Sequence, residues 1–236
     1  MTTNGVQLNK GRILKYSRRY QIIRDYCRGK TVLDLGCVEH SAEAEQNFLD
    51  WIHRGIKEVA KEVVGLDNAP EEVSQLNRKG YNILLGDVEN FDLQRRFEVV
   101  VCGELIEHVN NPGLLLQNAK KHLVEDGLLI ITTPNCESAM WVPYIFAKGN
   151  IPCNPTHICW YSRQTLLELC HRYDLEESDT YYEVGNPTNR VIYYLERLIR
   201  RIRKSWAHEL IVVFKNRPSA TAFRELPQSR IAGVVR

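Results

Sequence analysis

Short apolar runs alternate with segments of helical spacing over the first part of the chain. Five runs rich in Val, Ile and Leu predict buried strands, at 31–35, 62–66, 81–85, 97–102 and 128–132. Helical periodicity appears between them, at 41–61, 71–79 and 114–123. Apolar strands that alternate with helices are typical of a parallel sheet covered on both faces. We therefore predict a Rossmann-like, doubly wound α/β fold.

The pattern changes after Pro134. Residues 136–161 are irregular and rich in aromatic side chains, and Ser162 is a candidate N-cap for a helix over 163–173. Two further strands, 175–184 and 210–214, would make seven in a mostly parallel sheet with a late antiparallel strand. We divide the chain into a basic helical segment (1–30), a main domain (31–216) with substrate-covering insertions (136–161 and 185–208), and a tail without clear periodicity (217–236).

Composition is that of an ordinary globular protein, with 44% apolar and 25% charged residues among 236. The longest apolar run is strand-sized, and the polar first ten residues lack a signal core, so we predict a cytoplasmic protein. Seven cysteines, an odd number without a C-x-x-C pair, argue for a reducing compartment.

The net charge of +2 is unevenly distributed, with +7 over 1–30, −13 over 31–184 and +8 over 185–236. This distribution argues against a surface that binds nucleic acid broadly.

A basic amphipathic helix is predicted over 190–204. Its apolar stripe consists of Val191, Leu195, Leu198 and Ile202, widened by Ile199, and basic residues crowd the other side. We favour a helix that packs this stripe on the sheet and exposes its charges to water. The alternative is a peripheral membrane contact or an anion-binding surface over 190–206, which would suit a lipid-linked or phosphate-bearing substrate.

Glycine or a carboxylate stands at the end of each of the first four predicted strands. In open α/β sheets the ligand crevice lies at the carboxyl ends of the strands, so these residues should converge. The G-x-G-x-x-G fingerprint fails, because Val38 and Ser41 occupy its second and third glycine positions. The phosphate-binding P-loop fails as well, because Gly29-Lys30-Thr31 precedes a strand instead of following one.

The carboxylates indicate a different nucleotide. Asp67, at the end of the second strand, suits the two hydroxyls of a ribose. Asp34 and Glu39 suit a ligand that carries an ammonium or sulfonium, and Asp87 could accept from an adenine amino group. These residues together predict a cationic, adenosine-based cofactor without phosphates.

Five blocks carry a family resemblance: VLDLGC, VVGLD, ILLGDVENF, FEVVVCGELIEHVNNP and GLLIITTPN. In this order the chain resembles a class I S-adenosylmethionine-dependent methyltransferase of the small-molecule, ubiquinone-biosynthesis O-methyltransferase-like group, over residues 30–135 and more weakly over 155–215. Val38 and Glu39 replace glycines of that family's first loop. The resemblance implies S-adenosylmethionine as cofactor, held by Asp34, Gly36, Asp67, Asn68, Gly86, Asp87, Val88, Gly103 and Glu104.

Methyl transfer to a hydroxyl group usually needs a base, and histidine is the usual choice near neutral pH. Our candidate catalytic residues are His108, Glu107 and His157. The resemblance also associates the Glu104, Glu107 and His108 cluster with a divalent metal, although S-adenosylmethionine is the one cofactor we expect. The spacing of Cys153, His157 and Cys159 matches no common zinc pattern.

We therefore predict an enzyme that methylates a small-molecule or glycan- or lipid-linked acceptor, at a hydroxyl oxygen. The aromatic residues at 140–146 and 160–161 would form a lid over the acceptor. Two alternatives stay open at this point: an N- or RNA methyltransferase, although nucleic acid is not the expected partner, and a cofactor-binding scaffold without catalysis.

Overall fold

The computed structural model describes residues 17–38, 51–184 and 190–217, with the side chains of 190–193 excepted. Its strands are β1 (Thr31–Leu35), β2 (Glu62–Asp67), β3 (Ile83–Leu85), β4 (Phe97–Gly103), β5 (Leu123–Pro134), β6 (Leu175–Glu183) and β7 (Glu209–Asn216). Its α-helices are α1 (Arg18–Cys27), α2 (Ile52–Lys57), α3 (Pro70–Arg78), α4 (Pro112–Lys121), α5 (Val142–Lys148), α6 (Arg163–His171) and α7 (Arg190–Ile202). Two short 3₁₀ turns are Ala139–Trp141 and Lys204–Trp206.

The seven strands form one sheet in the order β3-β2-β1-β4-β5-β7-β6. The pairs from β3 to β5 are parallel, whereas β7 runs antiparallel to both β5 and β6. This confirms the predicted class, a mostly parallel α/β sheet with a late antiparallel strand. Glu209 pairs with Pro134 and with Glu183, so the start of β7 lies at the carboxyl edge of the parallel strands.

Alternate residues of the central strands feed two cores, one on each face of the sheet. Leu33 and Leu35 of β1 belong to the core that includes buried residues of α4 and α6. Val32 belongs to the other core, which includes buried residues of α1 and α2. Because helices cover both faces, both sides of each central strand are apolar, as the continuous runs in the sequence predicted.

Four local predictions need correction or limits. The Asp126-Gly127 pair is of a kind typical of turns and precedes the strand predicted at 128–132, but it lies within β5, where Leu123 pairs with Phe97 and Leu128 with Val99 across an irregularity. The insertion predicted to be irregular contains α5, which has Pro143 in its first turn and a left-handed Gly149 at its C-terminus, two signals of helix ends. Within the predicted helix 41–61 the structure describes only α2 as helical, and residues 39–50, including Glu39 and Ser41, lie outside the described residues. The same holds for most of the predicted tail, 218–236.

The packing expected for the basic amphipathic helix is wrong. Leu195, Leu198 and Ile202 of α7 are exposed, by 45%, 55% and 70%. Glu196 is buried instead, and Arg200 donates to the carbonyl of Tyr182 and to the carboxylate of Glu183. The helix therefore turns its ion-pairing side toward β6 and its apolar stripe away from the sheet. Among the described helices none is long and apolar enough to cross a membrane.

Candidate active site

A cavity of about 920 Å³ opens at the carboxyl ends of β1, β2 and β4. Nine of the twelve predicted site residues line it: Gly36, Asp67, Asn68, Asp87, Val88, Gly103, Glu104, His108 and His157. The other three, Asp34, Gly86 and Glu107, lie outside this lining. The cavity also includes residues that the sequence analysis did not select, among them Arg19 and Glu209.

Gly36 turns the chain out of β1 at the floor of the cavity. Its φ of +65° lies in the left-handed region, and a Cβ there would come within 2.8 Å of the Leu105 side chain. Both facts require glycine. Val38, which stands in place of a family glycine, packs its side chain against the buried cluster that contains Cys37 and Trp51, and its backbone N–H donates to Asp67 Oδ2 at 2.9 Å.

Asp67 is a buried carboxylate at the end of β2. Besides the bond from Val38, its Oδ1 accepts from the backbone of Ala69 at 3.1 Å. Burial raises the pKa of Asp67, and these backbone bonds and that of Asn68 oppose the rise. A carboxylate has about four acceptor positions, so capacity remains for ligand hydroxyl groups.

Asp34 lies in a narrow recess beside the main cavity, together with Arg19, Gly36 and Gly103. Its Oδ2 is 2.9 Å from Nδ1 of His53 on α2, and both side chains are almost completely buried. His53 is a residue that the sequence analysis missed, because its contact with Asp34 spans 19 residues and depends on how α2 packs. Asp34 therefore faces the recess as half of a buried pair.

Asp87 and Gly86 form the turn after β3. Asp87 Oδ1 accepts from the Glu89 backbone at 2.9 Å, so one of its oxygens stabilises the turn while the residue lines the cavity. Gly86 donates to the Asp67 carbonyl at 2.9 Å, and a Cβ there would lie 2.9 Å from Leu66. Gly86 thus fixes the turn next to Asp67.

Glu104 directly follows β4 and has a left-handed φ of +50°, which is uncommon for a non-glycine residue. Its Oε1 accepts from the Thr132 hydroxyl at 3.0 Å and lies 3.2 Å from Arg19 Nη1. Backbone strain of this kind is typical of functional sites. Arg19 belongs to the basic N-terminal segment, and that charge excess was the one sequence signal for it.

The catalytic candidates surround a pair of histidine rings. The His108 and His157 ring centroids are 4.5 Å apart in an edge-to-face arrangement. Burial and the neighbouring His108 lower the pKa of His157. The Thr156 hydroxyl donates to Asn154 Oδ1 and lies 3.0 Å from His108 Nδ1. Since the one proton of the hydroxyl goes to Asn154, the oxygen can accept from His108 Nδ1, and in the neutral ring this places the lone pair on Nε2.

Glu107 is buried behind this pair. Among the described residues its carboxyl oxygens have no well-formed hydrogen bond, while its carbonyl accepts from the Ile158 backbone at 2.9 Å. Burial and the charge of Glu104 raise the pKa of Glu107 to about 8, so it is mostly protonated at neutral pH. Ligand atoms of Glu107, His108 and His157 all lie within 4.8 Å of one another, a grouping that could hold a metal ion. Glu104, which the sequence grouped with Glu107 and His108, turns instead toward Arg19.

Glu209 adds a second carboxyl group with a raised pKa. It begins β7 and lines the cavity, and its Oε2 is buried without a hydrogen bond among the described residues. Burial raises its pKa to about 8, with contributions from Glu104, Glu196 and Glu183 that Arg19 opposes. No motif surrounds it in the sequence; only the antiparallel insertion of β7 brings it to the site.

Aromatic side chains stand beside the histidine pair. The Trp160 ring lies 6.1 Å from His157 and 5.3 Å from Trp141, centroid to centroid. Trp141 Nε1 donates to the Asn135 carbonyl at 2.8 Å, which fixes its indole at the end of β5. Trp141 and Trp160, two residues of the segments predicted to form a lid, therefore lie near the catalytic candidates.

A sequence profile of the family described as "Methyltransferase domain" matches residues 14–177. This is more than half of the chain, so the protein belongs to the methyltransferase family, and the resemblance to S-adenosylmethionine-dependent methyltransferases is confirmed.

Individual relatives differ in the atom that their names say is methylated. The chain is 34% identical over 113 residues to a ubiquinone biosynthesis O-methyltransferase of Glaesserella parasuis serovar 5 (strain SH0165), covering 45% of this chain and 46% of the relative. It is 29% identical over 105 residues to an (S)-coclaurine N-methyltransferase of Papaver somniferum, covering 44% and 29%. These matches span less than half the length of either relative.

Solved structures show the same fold. The N-methyltransferase NodS from Bradyrhizobium japonicum WM9, in complex with S-adenosyl-L-homocysteine, superimposes with a TM-score of 0.53 at 13% identity. The alignment covers 84% of this chain and 85% of that one.

Proposed function

We propose that this protein transfers a methyl group from S-adenosylmethionine to a small-molecule acceptor, at a hydroxyl oxygen. The observation that carries the proposal is the convergence of nine predicted residues on one cavity of about 920 Å³, eight of them from the ends of four separate strands and His157 from the insertion after β5. That volume lies within the range of small-molecule sites. Membership of the methyltransferase family supports the same cofactor class.

The residues present fit this cofactor. The free acceptor capacity of Asp67 suits the ribose hydroxyls, and the Asn68, Asp87 and Val88 cluster would surround the adenine. Gly36 and Gly103 leave the floor without side chains. The Asp34 recess and the Arg19 guanidinium offer opposite charges for the ammonium and carboxylate of the methionine part. The bound cofactor supplies an electrophilic methyl group on sulfur.

The chain's own residues would orient the acceptor and take its proton. His108 Nε2 is the base, because the bond from Nδ1 to Thr156 fixes the ring tautomer with Nε2 unprotonated. His157, with its lowered pKa, is neutral at pH 7 and packs against His108 without adding charge. Glu107 would position the site through its backbone, since its carbonyl accepts from Ile158 and holds the segment that carries His157.

The aromatic side chains beside the histidine pair indicate a class of acceptor. Trp160 is partly exposed and its ring lies 6.1 Å from that of His157, whereas Trp141 is buried against Trp160, so one indole near the histidines suits an aromatic ring or a lipid-linked acceptor. A phenol, catechol or lipid-linked hydroxyl would place its O–H near His108 while its apolar part lies toward Trp160.

The first experiment is calorimetric titration with S-adenosylmethionine and S-adenosylhomocysteine, with NADH as control. We expect saturable binding of both sulfur compounds and none of NADH; failure of both to bind would refute the cofactor assignment. Parallel panels of phenols and of primary and secondary amines then test the acceptor with tritiated methyl donor. Transfer to amines alone would replace O-methylation by N-methylation, and binding without turnover on either panel would favour the scaffold.

The base is tested by a matched pair of variants. His108→Gln is expected to lower turnover by about 10²–10⁴-fold while cofactor affinity is kept. Thr156→Val removes the partner of Nδ1, so it should lower turnover less and shift the pH profile. A His108→Gln enzyme with the wild-type rate on a hydroxyl acceptor would contradict the assignment.

A further inference from the structure

The solvent-exposed face of α7 carries apolar side chains, whereas that of an ordinary surface helix is polar. Leu195, Leu198 and Ile202, spaced i, i+3 and i+7, form one stripe, and all are at least 45% exposed. Surface helices of globular proteins place such a stripe against the core. Here Glu196 and Arg200 face the protein instead, and Arg200 is bonded to Tyr182 and Glu183. The exposed stripe is therefore not explained by packing within the described part of the chain.

Positive charge surrounds this stripe. Arg201, Arg203 and Lys204 are exposed beside it, and Trp206 is exposed by 37% with the Arg203 guanidinium 5.6 Å from its ring. The one acidic residue of α7 is Glu196, which is buried. A continuous apolar stripe, a basic flank without exposed acids and a tryptophan at the margin match the chemistry of an anionic bilayer surface. We call the exposed residues of 194–206 the α7 face.

The α7 face is fixed relative to the cavity. Asn135, which follows β5, donates from Nδ2 to the carbonyls of Ser205 and Ala207 at 2.8 Å each. Glu209, three residues after Trp206, lines the cavity. A surface that binds the α7 face would therefore lie next to the carboxyl edge of the sheet, where the cavity opens.

We propose that the α7 face docks the protein on membranes that contain anionic phospholipids. The apolar stripe enters the headgroup region while Arg201, Arg203 and Lys204 contact lipid phosphates and carboxylates. The docking does not depend on methyl transfer, so it is tested without the cofactor and stands or falls separately from the proposed activity.

The test is co-sedimentation of the full chain with vesicles of phosphatidylcholine alone and with about one quarter phosphatidylserine. We expect binding to the anionic vesicles that weakens steeply between about 0.1 and 0.5 M salt, and little binding to phosphatidylcholine. Absence of binding to anionic vesicles at the lower salt concentration would overturn the proposal.

Two variants separate the charged and apolar contributions. Arg201→Glu with Lys204→Glu should weaken partitioning by about 30-fold or more, since each basic residue is worth about fivefold. Leu198→Ser with Ile202→Ser should weaken it by a similar or larger factor, because apolar burial is lost. The matched control is Lys61→Glu with Arg96→Glu, which reverses two exposed charges at the opposite edge of the sheet.

The control should bind vesicles like wild type, and all variants should keep the wild-type thermal unfolding curve. If both α7 variants bind as wild type does, the face is not the docking surface. If wild type is a dimer by analytical ultracentrifugation and Leu198→Ser with Ile202→Ser makes it monomeric, the face is an interface between copies instead. Binding of single-stranded RNA that is lost only in the charge variant would likewise overturn membrane docking.

Discussion

Replacing Glu209 by glutamine should change how the stability of this protein depends on pH. The wild-type carboxyl group begins β7 at the cavity wall, and one oxygen is buried without a hydrogen bond in the described structure. Burial raises the pKa of Glu209 from 4.5 to about 8. Glutamine keeps the shape of the side chain but cannot ionise, so the comparison isolates the cost of the buried charge.

The sign follows from proton binding. Between pH 4.5 and about 8 the folded protein holds a proton on Glu209 that the unfolded chain has released. The folded state then binds more protons, so the free energy of unfolding falls as pH rises through this window. The full difference between the pKa values of Glu209 in the unfolded and folded states corresponds to about 5 kcal/mol of unfolding free energy, at 1.36 kcal/mol per pKa unit. Because the side chain borders a cavity that admits water, we expect about 2–3 kcal/mol between pH 5 and pH 9.

The assay is urea denaturation of wild type and Glu209→Gln at pH 5, 7 and 9. The variant should have a stability close to wild type at pH 5 and exceed it progressively at higher pH. Glu125→Gln, an exposed carboxyl near the start of β5, is the control and should show no such trend. If the difference in unfolding free energy between Glu209→Gln and wild type stays constant from pH 5 to pH 9, the assignment of Glu209 as a buried, protonated carboxyl group is refuted.

Other substitutions test the cofactor and catalytic assignments. Asp67→Asn should weaken S-adenosylmethionine binding by about 10–100-fold in calorimetry, since bonds to charged groups are worth about 1.5–3 kcal/mol each. Gly36→Ala should lower the free energy of unfolding by about 1–3 kcal/mol in urea, because alanine is strained at a φ of +65° and contacts Leu105. His157→Gln should reduce kcat with little change in cofactor affinity. Because burial lowers the pKa of His157, protonation of His157 should not limit the wild-type rate at neutral pH, and a pH profile of kcat for wild type and His157→Gln checks this.

The parts of the fold that the sequence predicted are those fixed by local pattern. Strands β1, β2 and β4 are continuous apolar runs, and each ends at a residue that leaves the strand direction, such as Gly36. Ser162 caps α6 with a reciprocal bond to Thr165, so its start was visible in the sequence. Where the periodicity was interrupted, as at Asp126 in β5, local pattern indicated a turn although pairing with β4 extends the strand.

The orientation of α7 illustrates a limit of hydrophobic periodicity. The pattern determines which residues share a face, and it grouped Leu195, Leu198 and Ile202 correctly. It does not determine which face meets the protein. In the structure a buried Glu196 and the bonds of Arg200 to β6 decide that question, and such long-range polar contacts leave no periodic signal.

The cofactor side and the acceptor side of the cavity also differ in how well local sequence pattern predicts them. The proposed cofactor residues follow consecutive parallel strands, so a linear motif contains nearly all of them. Arg19 and Glu209 come from α1 and β7, 190 residues apart, and meet only because β7 inserts antiparallel beside β5. His157 and Trp160 belong to the insertion after β5. Since the acceptor side of the cavity is built from these segments, acceptor specificity should change with substitutions in 136–161 and at Glu209, while cofactor affinity should depend on the strand-end motif residues.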